Sequence, residues 1–186
     1  MEQNKIRSNS ELFTYLREGN EPEFVFFYGG RTEGKVGPEC LSQWYPSEFS
    51  EDGKTFKTAE HYMMYRKALL FEDDDAIESI VESPHPRVAK ALGRQIKGYS
   101  DTLWSRNRFK AVVAGSILKF SENKNLMEYL LSTGDKILVE ASPYDKIWGI
   151  GLGVDHKAIN NPALWDGTNL LGYALMEARD VIKATK

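Results

Sequence analysis

The stretch Thr58-Ala59-Glu60-His61-Tyr62-Met63-Met64-Tyr65-Arg66-Lys67 is where the chain changes character, and its reading decides the fold class. Thr58 suits an N-cap, so a helix is expected from there to about Phe71. Upstream the signals are those of short strands. Two short runs flank Glu51-Asp52-Gly53 and predict a hairpin, because Asp-Gly fits a tight primed turn. Glu23 to Tyr28 is a compact aromatic and β-branched run ended by Gly29 and Gly30, and it predicts a strand. Between Arg31 and Trp44, Gly34, Gly37 and Pro38 predict a long loop. At the N-terminus, Ser8 followed by Glu11 fits a capping box for a helical extension over 8–18, stopped by Gly19.

Downstream the signals are helical. Pro86 suits the first turn of a helix ending at Gly98, and Asp101 can cap a longer one. That longer helix places Phe109, Val112, Val113, Ser116, Ile117 and Phe120 on one face. A short helix is expected from about Asn123 to Thr133-Gly134, and Lys136 to Glu140 predicts a late strand. An irregular, Gly- and Pro-rich region covers 141–169, and a last helix runs from about Leu170 to Lys183. The class is α+β, mainly α, with a few short β-strands in a single domain over 1–186.

Composition bounds the function. The chain has 186 residues, and 41% hydrophobic with 27% charged residues is a globular balance. A net charge of −3 excludes holding nucleic acid by bulk electrostatics, so any such contact must be local. The single Cys40 permits no internal disulfide. His61, His85 and His156 show no metal-ligand spacing, so neither a metal nor a cofactor is expected. The polar start and the lack of a long apolar run predict a cytoplasmic protein without a membrane partner.

Four constellations could carry chemistry. Glu60 and Lys67 lie seven residues apart, nearly on one helix face and about 10 Å along the axis, so a sugar-sized ligand could sit between their tips. Two surface charges on an amphipathic helix are the ordinary alternative. Arg87, Lys90, Arg94 and Lys97 recur at spacings of three, four and three, which makes either a phosphate cradle or a solvated face. In Asp145-Lys146-Ile147-Trp148-Gly149-Ile150-Gly151-Leu152-Gly153, alternating glycines would let the backbone approach a ligand closely, or simply form a tight loop packed by Trp148. Ser42-Gln43-Trp44-Tyr45-Pro46 could stack on a flat base and hydrogen-bond its edge, or pack in the core.

Taken in order, Gly53 to Tyr62, Arg66-Lys67-Ala68, Asp145 to Gly151 and Trp165 to Gly172 resemble the YbiA-like, or NADAR, family, with matching spacing over about 24–182. The resemblance implies a mainly helical α+β domain that hydrolyses N-glycosidic bonds between ribose and a base-like amine. It implies Glu60, Lys67, Asp145 and Trp148 in the active site, with Trp104, Asn107 and Asn169 as neighbours. Two substrate classes follow from it: phosphoribosyl-aminouracil intermediates of riboflavin synthesis, and ADP-ribose on guanine bases in DNA.

Riboflavin-type members resemble Ser-Asn-Phe where this chain has Ser42-Gln43-Trp44. The larger indole and the basic stripe favour ADP-ribosyl-guanine in single-stranded DNA, with a cognate toxin as functional partner. Glu60 would then stabilise positive charge on the sugar, and Lys67 could capture the opened sugar as a Schiff base if its pKa were depressed. Asp145 would orient a hydroxyl or activate water, and Trp148 would wall the sugar or base. Arg31, Arg94 and backbone amides near Gly149 and Gly151 would meet phosphate. A module that binds ADP-ribose without cleaving it is the rival reading.

Overall fold

The computed structural model describes residues 2–29 and 34–185. Seven α-helices and four short strands follow one another in it. They are α1 (Asn9–Arg17), β1 (Phe24–Phe27), β2 (Phe49–Glu51), β3 (Lys54–Phe56), α2 (Ala59–Leu70), α3 (Asp74–Glu82), α4 (Pro86–Gly93), α5 (Asp101–Glu122), α6 (Lys124–Ser132), β4 (Ile137–Glu140) and α7 (Leu170–Ala184). Three short 3-10 turns punctuate the loops at Gln3–Lys5, Pro38–Leu41 and Pro162–Leu164. The fold is α+β and mainly α. Among the described residues, no helix is long and apolar enough to cross a membrane.

Local chemistry accounts for most element boundaries. Ser8 and Thr58 accept the backbone N–H groups of Glu11 and His61 and start α1 and α2. Asp52 and Gly53 both adopt positive φ, at 50° and 76°, as a primed turn between β2 and β3 requires. The long helix α5 begins one residue earlier than expected, with Ser100 rather than Asp101 as its cap.

Two larger differences matter. Helix α3 lies in a stretch where none was expected. Its signal was present: Asp73 caps it, Asp74 and Asp75 complement the helix dipole in its first turn, and Ile77 and Ile80 are buried at helical spacing. The acidic run masks that pattern when it is read as charge alone. Helix α4 stops at Gly93, not Gly98. Beyond it the Lys97 backbone N–H donates to the Asp73 carboxylate at 2.8 Å, and the Lys97 amine pairs with Asp75 at 2.8 Å. These bonds draw the chain toward α3 and break the expected basic stripe. Lys97 is spent on α3, while Lys90 and Arg94 point elsewhere.

The core lies around α2, α5 and α7. Nine of the twelve α2 residues are buried, including the polar Glu60, His61 and Lys67. Strands β1 and β4 pair in parallel, from Phe24 opposite Ile137 to Phe27 opposite Glu140. Their carboxyl ends therefore emerge side by side, where ligands commonly sit in parallel sheets. Gly172 lets α7 approach β4: a Cβ there would overlap the Leu138 carbonyl.

Candidate active site

A cavity of about 640 Å³ opens at the carboxyl ends of β1 and β4. Tyr28 and Gly29 border it after β1, and Glu140, Ser142, Tyr144 and Asp145 after β4. The loop before the hairpin supplies Ser42, Trp44 and Pro46, and the α4 region supplies Pro84, His85, Pro86, Lys90 and Arg94. Thr58, at the start of α2, completes the lining.

Glu60 sits in the first turn of α2, only 2% exposed. Its backbone N–H donates to the Gln43 carbonyl at 2.9 Å, which ties the helix start to the Ser42–Trp44 loop. Burial lifts its carboxyl to about 7. Lys90, a hydrogen bond from the Trp44 side chain and Arg94 pull it down, while Asp145 adds a further upward push. Oε1 of Glu60 is closed to solvent and meets no hydrogen-bond partner among the described residues. Glu60, Trp44, Asp145 and Arg94 are thus one neighbourhood.

That loop is held from beneath. The fully buried Lys119 amine of α5 donates to the Cys40 and Ser42 carbonyls at 2.7 and 2.8 Å. The Ser42 hydroxyl in turn accepts the Trp44 backbone N–H at 3.1 Å. The Trp44 ring packs edge-on against His85, with centroids 6.0 Å apart, and lies 5.9 Å from the Lys90 amine. Gln43 is buried, and its side-chain Nε2 meets no partner.

Other expected site residues are placed differently. Lys67, like Glu60, is not among the residues that border the cavity: its amine donates to the Gly93 carbonyl at 2.7 Å and lies 4.1 Å from the Tyr99 ring centre. Burial, then the nearby Arg94, lowers its pKa, and Asp101 opposes them. Arg94 thus acts on both Glu60 and Lys67, but no contact joins those two. Trp104 and Asn107 border a separate crevice of about 480 Å³ with Arg66 and Lys110. Asn107 there caps its own helix turn on the Leu103 carbonyl at 2.8 Å.

Asp145 accepts the backbone N–H groups of Ile147 and Trp148 on one oxygen, at 2.9 and 2.8 Å, which folds the loop and packs Trp148 against the core. Neither Trp148 nor Gly149 nor Gly151 borders the cavity. The close approach these glycines permit is to their own chain. A Cβ on Gly149 would press on the Asp145 and Glu140 carbonyls at 2.9 Å, and Gly151, at φ 71°, lies against Asp166. Asn169 is fully buried and serves the backbone, accepting the Glu140 N–H at 3.0 Å and donating to the Leu138 carbonyl at 2.9 Å. Arg31 lies outside the described residues.

Several cavity groups, among them Tyr28, His85, Ser142, Tyr144 and Glu140, went unrecognised as site residues in the sequence, and Lys90 was named only within the basic stripe. Glu140 read only as the end of a strand, although an acid closing the buried run Ile137–Val139 was the available signal. Burial, with Asp145 and Glu60 adding to it, raises the Glu140 carboxyl to about 8 against a downward pull from Lys90. Among the described residues, no cluster of His, Cys, Asp and Glu could hold a metal ion.

The cavity brings Glu140, Asp145, Lys90 and Arg94 together under an aromatic rim of Trp44, Tyr28 and Tyr144, with the buried Glu60 beside them, an arrangement suited to an enzyme that acts on a polar, ring-bearing substrate. The NADAR domain matches residues 26–183, and the chain belongs to that family. It is 44% identical over 164 residues to N-glycosidase R617 of Acanthamoeba polyphaga mimivirus, covering 85% of this chain and 95% of that one. It is 32% identical to N-glycosidase YbiA of Escherichia coli (strain K12), over 73% of this chain and 76% of that one. The NMR structure of E. coli YbiA superposes with a TM-score of 0.68 at 26% identity, covering 89% and 88% of the two chains.

Proposed function

We propose that the chain hydrolyses the N-glycosidic bond between ADP-ribose and guanine in single-stranded DNA, reversing the modification made by a cognate toxin. Relatives named N-glycosidases support the reaction type. The observation that carries the substrate is the cavity rim. Trp44, Tyr28 and Tyr144 offer flat surfaces for a purine, and Lys90 and Arg94 offer charge for a diphosphate. Beneath them Glu60, when ionised, can stabilise the positive charge that develops at the anomeric carbon as the bond breaks.

The strand itself should add little, because the net charge of −3 opposes nonspecific binding. Incubation with ADP-ribosyl-guanine DNA and with a phosphoribosyl-aminouracil in parallel tests the reading. Release of free ADP-ribose from the DNA is expected. Turnover of the aminouracil with the DNA untouched reassigns the enzyme to riboflavin intermediates, and binding of ADP-ribose with neither substrate cleaved makes it a reader.

A further inference from the structure

We propose that Glu140, at the carboxyl end of β4, is the general acid that protonates the departing nitrogen. The proposal rests on the N-glycosidase reading above and assigns a role within that same site. Its backbone is fixed on both sides: the N–H donates to Asn169 Oδ1 at 3.0 Å, and the carbonyl accepts the Ile150 N–H at 3.0 Å. The side chain borders the cavity, and its Oε2 is closed to solvent without a hydrogen-bond partner. With its backbone fixed and its side chain at the cavity wall, Glu140 has one carboxyl oxygen buried behind the wall and no protein group bonded to it, which leaves the carboxyl free to exchange a proton with an occupant through its other oxygen.

The two buried glutamates differ in their surroundings. Glu60 receives a Trp44 hydrogen bond and feels both Lys90 and Arg94, all of which favour its anion. Glu140 faces Asp145 and Glu60, two negative neighbours, against Lys90 alone. His85, Arg94, Tyr28 and Tyr144 are the remaining titratable or charged groups around the cavity. Two carboxyls whose surroundings push their proton affinities apart are divided into an acid and a charge stabiliser. Burial raises both carboxyls, and the two negative neighbours of Glu140 favour its protonated form where the Trp44 bond, Lys90 and Arg94 favour the anion of Glu60.

The chemistry balances with one water. The C1′–N bond breaks with its electron pair passing to nitrogen, and the Glu140 proton joins that nitrogen. Water adds its oxygen to C1′ and loses its surplus proton to solvent. A proton taken back from solvent restores Glu140. A leaving nitrogen of a purine or its exocyclic amine is a poor anion, so the step needs this proton. A 4-nitrophenolate does not.

The test compares Glu140→Gln with the native enzyme on two substrates, ADP-ribosyl-guanine DNA and a ribosyl 5′-phosphate carrying a 4-nitrophenyl leaving group. For the guanine substrate kcat should fall by about 10²–10⁴-fold. Release of 4-nitrophenol should stay within about threefold of native, a difference that a folding defect could not produce. The native kcat on guanine should also decline as pH rises through about 8. Equal loss on both substrates, undiminished cleavage of the guanine substrate, or a native profile flat to pH 9.5 overturns the proposal. A native enzyme that cleaves neither substrate overturns the N-glycosidase reading, and the proposal with it.

Discussion

Replacing Glu60 with Gln should make the protein more stable at alkaline pH, and the structure sets the size of the gain. Glu60 is 2% exposed, and burial raises its carboxyl from 4.5 to about 7. The folded state therefore holds the proton more tightly than the unfolded chain does. The stability that this proton affinity contributes is complete below about 4.5 and is lost as pH rises through about 7. At ~1.4 kcal/mol per tenfold change in proton affinity, the ionised side chain costs about 3 kcal/mol at pH 8. Glutamine keeps the shape and an acceptor for the Trp44 side chain without the charge. Urea denaturation is the appropriate assay, since a salt denaturant would screen Lys90 and Arg94. At pH 8 the variant should gain about 3 kcal/mol, or roughly 6–12 °C in Tm for a domain of this size. The gain should vanish near pH 4.5. An unchanged or lower stability at pH 8 would refute the reasoning, because the cations and the Trp44 bond would then outweigh desolvation. Loss of cleavage in the stabilised variant would show a site held at the expense of stability.

Two further outcomes follow from placement. Trp44→Ala should raise KM more than it lowers kcat, since the ring borders the cavity and stacking binds substrate and transition state alike; an equal fall in kcat in a folded variant would make Trp44 part of the chemistry. Gly172→Ala should destabilise the fold by about 3 kcal/mol or more, because the obstructing atom is the Leu138 backbone carbonyl rather than a movable side chain. A melting temperature within 2 °C of native, which is roughly 1 kcal/mol or less, would contradict that close packing.

Local chemistry is what a sequence writes most directly, and here it specified the elements. A cap at Thr58, an Asp-Gly turn and an aromatic strand at 24–27 depend on neighbours a few residues away, so they could be read without the fold. The same holds for the family resemblance, which rests on the order of short motifs. Even α3 was written in this way, and only its acidic start hid it. Which side chains share a cavity is another matter. Helical spacing aligned Glu60 with Lys67, but what holds the lysine amine is the carbonyl of Gly93 and the Tyr99 ring, both distant in sequence. The glycines at 149 and 151 permit close approach in any context, and only packing shows that the approaching group is the chain itself. Glu140 joins Glu60 because two parallel strands end together beside the start of α2. The proton affinities of that pair come from burial and from charges on four separate segments, so they exist only once the tertiary structure has removed the water between them.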